Sequence, residues 1–150
     1  MEPQINDICK KAFLEIRNIW RLRKMIDSRT CATLVQAYVI SKLDYCNALL
    51  YNCSAKYLNT LQRVQNAAAR LIACARKYDH VTEIKKNLHW LPIKQRIVFK
   101  IIILCFKALY GIAADYMQQL VSFKDSGSRR PKYLLNEPVD TTKTKKTVGD

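Results

Sequence analysis

The stretch "LHWLPIKQRIVFKIIILCFKALYG", Leu88 to Gly111, decides the fold. Its centre, "IIILCF" (Ile101 to Phe106), is uncharged and apolar, closed on either side by Lys100 and Lys107. A membrane-spanning helix needs about 20 predominantly apolar residues, and this run is far too short. Ile93, Ile97, Ile101, Leu104 and Ala108 recur in steps of four and three. That spacing traces one face of an α-helix packed on a core. Pro92 suits the first turn, where a missing N–H costs nothing. Gly111 is a natural stop just past the last turn.

Working outward, the same periodicity recurs. From about Gln4 to Met25, Ile5, Ile8, Cys9, Ala12, Ile16, Ile19 and Trp20 form an apolar face. Lys10, Arg17, Arg21 and Lys24 fall roughly opposite. "IDSRT" is a break, with Ser28 as the expected N-cap of a second helix from about Arg29 to Tyr51. That helix is apolar on several sides, as expected at the centre of a bundle, with "SKLDYCN" as a polar seam. Ser54 is the expected cap of a third helix, from Tyr57 to about Ala75. Its stripe of Tyr57, Leu61, Val64, Ala68, Leu71 and Ala75 faces a neighbour. A short helix near Thr82 and another from about Ala114 to Val121 complete the pattern. Trp90 is expected to pin its loop to the core, and Tyr45, Tyr51, Tyr57 and Tyr110 to pack within the bundle.

The expectation is therefore an all-α fold: an irregular bundle of about four longer helices plus short ones. It occupies residues 1–122. Residues 123–150 turn polar, basic and punctuated by Gly and Pro, and read as a flexible, disordered basic tail. Three glycines and four prolines in 150 residues argue against a β-protein with many tight turns.

Composition narrows function. Twenty-six basic residues against 12 acidic ones leave a net charge of +14, which points to a polyanion partner. The six cysteines include no Cys-x-x-Cys and sit mostly among apolar residues, as buried free thiols do. "MEPQINDICKK" has no signal-peptide core. Together these give the expectation of a reducing intracellular compartment, cytoplasmic or nuclear, without disulfides.

No two aspartates are adjacent, whereas a two-metal polymerase or nuclease site needs clustered carboxylates. Phosphate-cradling glycine loops and His-Glu-x-x-His are absent. His80 and His89 could in principle serve a cysteine nucleophile, but nothing supplies the orienting third group. No catalytic residue, metal site, cofactor or small-molecule substrate is expected.

The basic residues are different. Arg63, Arg70 and Lys77 stand seven apart, with Gln62 and Asn66 nearby, and no acidic residue lies between Ser54 and Arg76. Solvated helix faces normally carry acidic partners at four-residue spacing. Unpaired rows of Arg, Lys, Gln and Asn suit contact with phosphates. Lys94, Arg96 and Lys100 form a second candidate set.

Four words occur in order: "SKLDYCNALLY" (Ser41–Tyr51), "LQRVQNAAARLI" (Leu61–Ile72), "DHVTEIKKNLHWLPIKQRIVFKI" (Asp79–Ile101) and "KALYGIAADYM" (Lys107–Met117). Together they resemble the region that follows the catalytic palm in reverse transcriptases of non-LTR (LINE-type) retrotransposons. The likeness runs through nearly the whole chain from about Ile5. "YLLNEP" and "KTKKTVGD" resemble the start of the family's final segment. Departures occur at "GIAADYM", where the family usually has a proline after Gly-x-Ala, and at "GSRRPK", where it tends to show Leu-Arg-Ser.

The resemblance implies a helical thumb and connection that grips an RNA/DNA template–primer duplex. The parent activity is RNA-directed DNA polymerisation, with its catalytic Ala-Asp-Asp in the palm upstream; that motif does not occur here. The function expected is residual, non-sequence-specific nucleic-acid binding without catalysis. The competing expectation is a non-catalytic helical interaction module, or an orphan bundle without a ligand.

Overall fold

The structure, a computed structural model, describes residues 2–119, 121–124 and 132–135. The chain divides into two compact units, residues 1–101 and 102–150.

In the first unit, α1 (Glu2–Leu22) buries Ile5, Cys9, Ala12 and Ile19 along one face. α2 (Ser28–Val35) follows a tight turn. Its N-cap is Asp27, not the expected Ser28. The Asp27 carboxylate accepts from the Arg29 and Thr30 backbone N–H groups, while the Ser28 hydroxyl donates to the carbonyl of Ile72.

The expected second helix does not run unbroken to Tyr51. α2 passes into a π-helical turn (Gln36–Ile40), closed by the Ser41 N–H on the carbonyl of Gln36, and then into α3 (Ser41–Asp44). Tyr45 is extended and Cys46 left-handed, and the chain restarts as a 3₁₀ turn (Asn47–Leu50). Leu43 and Asn47 are both buried across this break. A continuous helix would set them apart by a turn on the same side; the reversal brings the Asn47 side chain back onto Asp44.

α4 (Ala55–Ala73) is the central element. Ser54 stands at its N-cap as expected, although its side chain makes no capping bond. Leu61, Val64, Ala68 and Leu71 are buried on the expected stripe, with Tyr57 partly covered. They form one core with Ile5, Cys9, Ala12 and Ile19 of α1, Val35, Val39, Ile40 and Leu43, and Ile93 and Ile97. Burying each Ile, Leu or Val of this core contributes about 1.5–3 kcal/mol before its entropy loss.

α4 ends two residues before the expected Ala75. Cys74 is left-handed, the Ala75 N–H reaches the carbonyl of Arg70, and the Cys74 N–H that of Leu71. This is the Schellman ending, usually built on glycine. Arg23 adds two donors here: its Nε donates to Leu71 O at 3.2 Å, which it shares with the Cys74 N–H, and its Nη2 to Ile72 O at 3.1 Å. A cation at the negative end of the helix dipole is favourable as well as hydrogen-bonded.

α5 (Thr82–Asn87) ends in the same way, with His89 left-handed and the Trp90 N–H on the carbonyl of Lys85. Trp90 packs against the core, as expected of an anchor. Next comes α6 (Ile93–Leu109). Pro92 stands just outside it, its carbonyl accepting from the Arg96 N–H. No local side chain caps this start; α4 does. Gln62 Oε1 accepts from the Ile93 N–H at 2.9 Å, and Gln65 Nε2 donates to the Leu91 carbonyl at 2.8 Å. Gln62 Nε2 in turn donates to Gln65 Oε1 and Asn66 Oδ1. Gln65 is wholly buried, so its amide must be satisfied internally, and it is.

In the second unit, Gly111 (φ +68) closes α6 with the Ile112 N–H on the Lys107 carbonyl, the stop expected of this glycine. α7 (Asp115–Gln118) follows. β1 (Val121–Lys124) and β2 (Lys132–Leu135) pair antiparallel, Val121 opposite Leu135 and Lys124 opposite Lys132. Of the tail expected from residue 123, these strand positions are described; 125–131 and 136–150 lie outside the described residues. Among the described residues the fold is dominated by helix, four of the helical stretches being long, and the all-α expectation holds apart from this short ribbon. No helix among them is long and apolar enough to cross a membrane.

Two stability predictions follow from these contacts. Replacing Gln65 by Leu strands the Leu91 carbonyl and one amide hydrogen of Gln62, and should destabilise the fold by about 1–3 kcal/mol in urea unfolding. Replacing Cys74 by Gly relieves a left-handed non-glycine residue and should raise stability by about 0.5–1 kcal/mol in the same assay.

Candidate nucleic-acid interface

One side of the first unit carries a cleft of about 650 Å³. α1 supplies Phe13, Ile16, Arg17 and Trp20; α4 supplies Ala67, Arg70 and Leu71; the turn after α4 supplies Cys74, Ala75 and Lys77; and Arg23 closes one side. Four of these residues are cations, and among the described residues no carboxylate lines the cleft. A second hollow of about 490 Å³ shares Phe13 and Arg17 and adds Lys10 further up α1.

The first candidate set is thus partly assembled, though not as a helical row. α4 stops at Ala73, so Lys77 is not on its face; the Schellman turn carries Lys77 back beside Arg70. Arg63 is exposed on α4, about 10 Å along the axis from Arg70, and does not line the cleft. Arg70 Nη2 donates to the Asp79 carbonyl at 3.3 Å, and its Nε is buried with no protein acceptor among the described residues. The Lys77 ammonium lies 5.6 Å from the centre of the Tyr78 ring. The Asp79 carboxylate is occupied by the Arg76 N–H at 2.7 Å.

The second set is dispersed. Lys94 is exposed and lines a separate cleft of about 410 Å³ with Tyr51, Leu58 and Gln62. Arg96 and Lys100 lie about 40° apart around α6, well away from Lys94. Arg96 is drawn into structure: its Nε pairs with Asp44 Oδ1 at 3.2 Å, and its Nη1 is buried without a partner among the described residues. The Asn47 amide donates to the same Asp44 oxygen. Burial of Asp44 raises its carboxyl pKa above the ordinary value, despite the opposing pull of Arg96 and Lys100.

Two members of the cleft run against expectation. Arg17 reads in the sequence as one of the solvated cations opposite the core face of α1. Trp20 reads as part of that core face, yet it is 67% exposed, and Phe13 is 43% exposed. The available signal is the Phe13–Arg17–Trp20 spacing of four and three, which places all three on one side of α1. Arg23 was equally unmarked; its value lies in the carbonyls of α4, far away in sequence. Tyr45, Tyr51 and Tyr110, expected inside the bundle, are exposed.

Cys9 and Cys31 are buried, and burial raises both thiols above their usual range, the opposite of what a nucleophile needs. Among the described residues, no group of three or more His, Cys, Asp or Glu side chains is placed to hold a metal ion. Comparison of the chain with protein-family models, with curated proteins and with solved structures returns no match.

The Asp44 site has a measurable signature. A carboxyl raised in the fold binds its proton more tightly folded than unfolded. It therefore adds stability below the unfolded value of about 3.9 and loses it as pH rises through the folded value. In a carboxyl ¹³C titration, Asp44 should titrate above a free aspartate. Arg96→Met should move it higher still. The wild type should gain stability relative to Asp44→Asn on acidification through that range.

Proposed function

We propose that this chain is the helical, non-catalytic region that follows the palm of a LINE-type reverse transcriptase, and that it holds nucleic acid by its phosphates without reading sequence. The observation that carries the proposal is the cleft in which Arg17, Arg70 and Lys77 converge beside Arg23 with no lining carboxylate. Cations gathered without counter-charges are poised for a polyanion, because phosphate binding releases the counterions condensed on it. The net charge of +14 adds long-range attraction. The four sequence words that resemble the reverse-transcriptase family support the same assignment, with the polymerase chemistry placed in the palm. Arg63, Lys94 and Lys100 contribute as outlying phosphate contacts, and Arg96 acts chiefly through Asp44.

A second reading, a helical interaction module, rests on Ile102, Phe106 and Tyr110. They stand four apart along the end of α6 and are all more than half exposed. Such an apolar row suits a partner helix. It predicts salt-insensitive association in sedimentation runs.

The two readings separate in a binding titration. On a mixed-sequence RNA–DNA duplex, the double variant Arg17→Gln/Lys77→Gln should lower affinity. It should also flatten the plot of log affinity against log salt by about 0.9 per lost phosphate contact, hence by nearly two. An unchanged slope and affinity would remove the cleft from the proposal.

A further inference from the structure

We infer that the α1 face of this cleft takes unpaired bases, so that the preferred ligand is single-stranded nucleic acid and not duplex. The inference rests on the proposed nucleic-acid function and adds what that function alone does not require. A phosphate-tracking surface needs cations only. Here Trp20 and Phe13 stand exposed on the same side of α1 as Arg17, in the hollow that Arg70 and Lys77 also line. A second hollow, which shares Phe13 and Arg17, reaches Lys10. From Lys10 to Trp20 this face spans about 15 Å, a length of roughly four phosphates at the spacing of one strand.

Cation and aromatic thus alternate along it: Lys10, Phe13, Arg17, Trp20. That alternation suits a single strand, whose backbone follows the charges while its bases turn onto rings. In a duplex the base faces are already stacked on each other and cannot reach Trp20. Among the described residues no carboxylate lines either hollow, which gives the charge complementarity that an apolar protein partner would not use. The acids of α1 are paired with other cations: Glu2 with Lys56, Asp7 with Lys11 and Glu15 with Lys42.

The test uses the emission of Trp20, with Trp90, which packs against the core, as the second and constant source. An unstructured 15-nucleotide oligothymidylate and a 15-base-pair duplex are titrated at equal salt. The single strand should quench Trp20 and bind about ten-fold tighter than the duplex. Trp20→Ala should lower single-strand affinity by about ten-fold and duplex affinity by less than about two-fold. Trp20→Phe should recover much of the loss, and circular dichroism verifies that both variants fold. Equal affinities for the two ligands, with Trp20→Ala without effect and salt-dependent binding intact, would overturn this inference and leave the proposed function standing. Absence of salt-dependent binding to either ligand would overturn both.

Discussion

The start of α6 hangs on a pair of glutamines from another helix. Pro92 brings no N–H and no side-chain acceptor, so the first donor of α6 is left without a local cap. Gln62 provides the acceptor, and the wholly buried Gln65 ties down the preceding carbonyl. This interaction sets where α6 begins relative to α4. With that fixed, Ile93 and Ile97 enter the same core as Leu61 and Val64, and Arg96 reaches Asp44. The polar ladder is satisfied only when both helices are in register, so it specifies one arrangement where the apolar stripes alone would tolerate several.

Arg23 plays the complementary part at the other end of α4. Its guanidinium is consumed by carbonyls of the last turn and by Ile26. Positive charge at this site is therefore built into the helix ending, while Arg17 and Lys77 form no salt bridge among the described residues. The left-handed Cys74 turns the chain so that Lys77 comes back to Arg70. A structural ending and a candidate binding site are thus made by the same few residues.

How much of this was legible in advance differs by kind. The core stripe of α4, the inward face of α1 up to Ile19, the anchor role of Trp90 and the stop at Gly111 all follow from spacing and from glycine's freedom at positive φ. The candidate site was half legible. Arg70 and Lys77 were marked by their unpaired charge, but the inferred reason, a continuous helical row, does not survive Cys74. Arg96 was marked by the same rule and turned out to serve Asp44. Helical spacing groups Trp20 with the core face because it cannot say how wide the covering neighbour is; in the fold Ile19 is buried and Trp20 is left outside.

By itself the sequence determined the helical class, the core-facing stripes and the strongly basic character, because these depend on periodicity and composition within each segment. Only the tertiary structure decided the break at Cys46, the ending at Cys74, the capping of α6 by Gln62 and the division of cations into those bound to carbonyls or carboxylates and those left to solvent. The physical reason is common to all four. Each involves groups that packing brings together from distant parts of the chain, as Arg23 meets Leu71 and Ile72, Gln62 meets Ile93, and Arg96 meets Asp44 just ahead of Cys46. No local pattern encodes which distant partner will arrive.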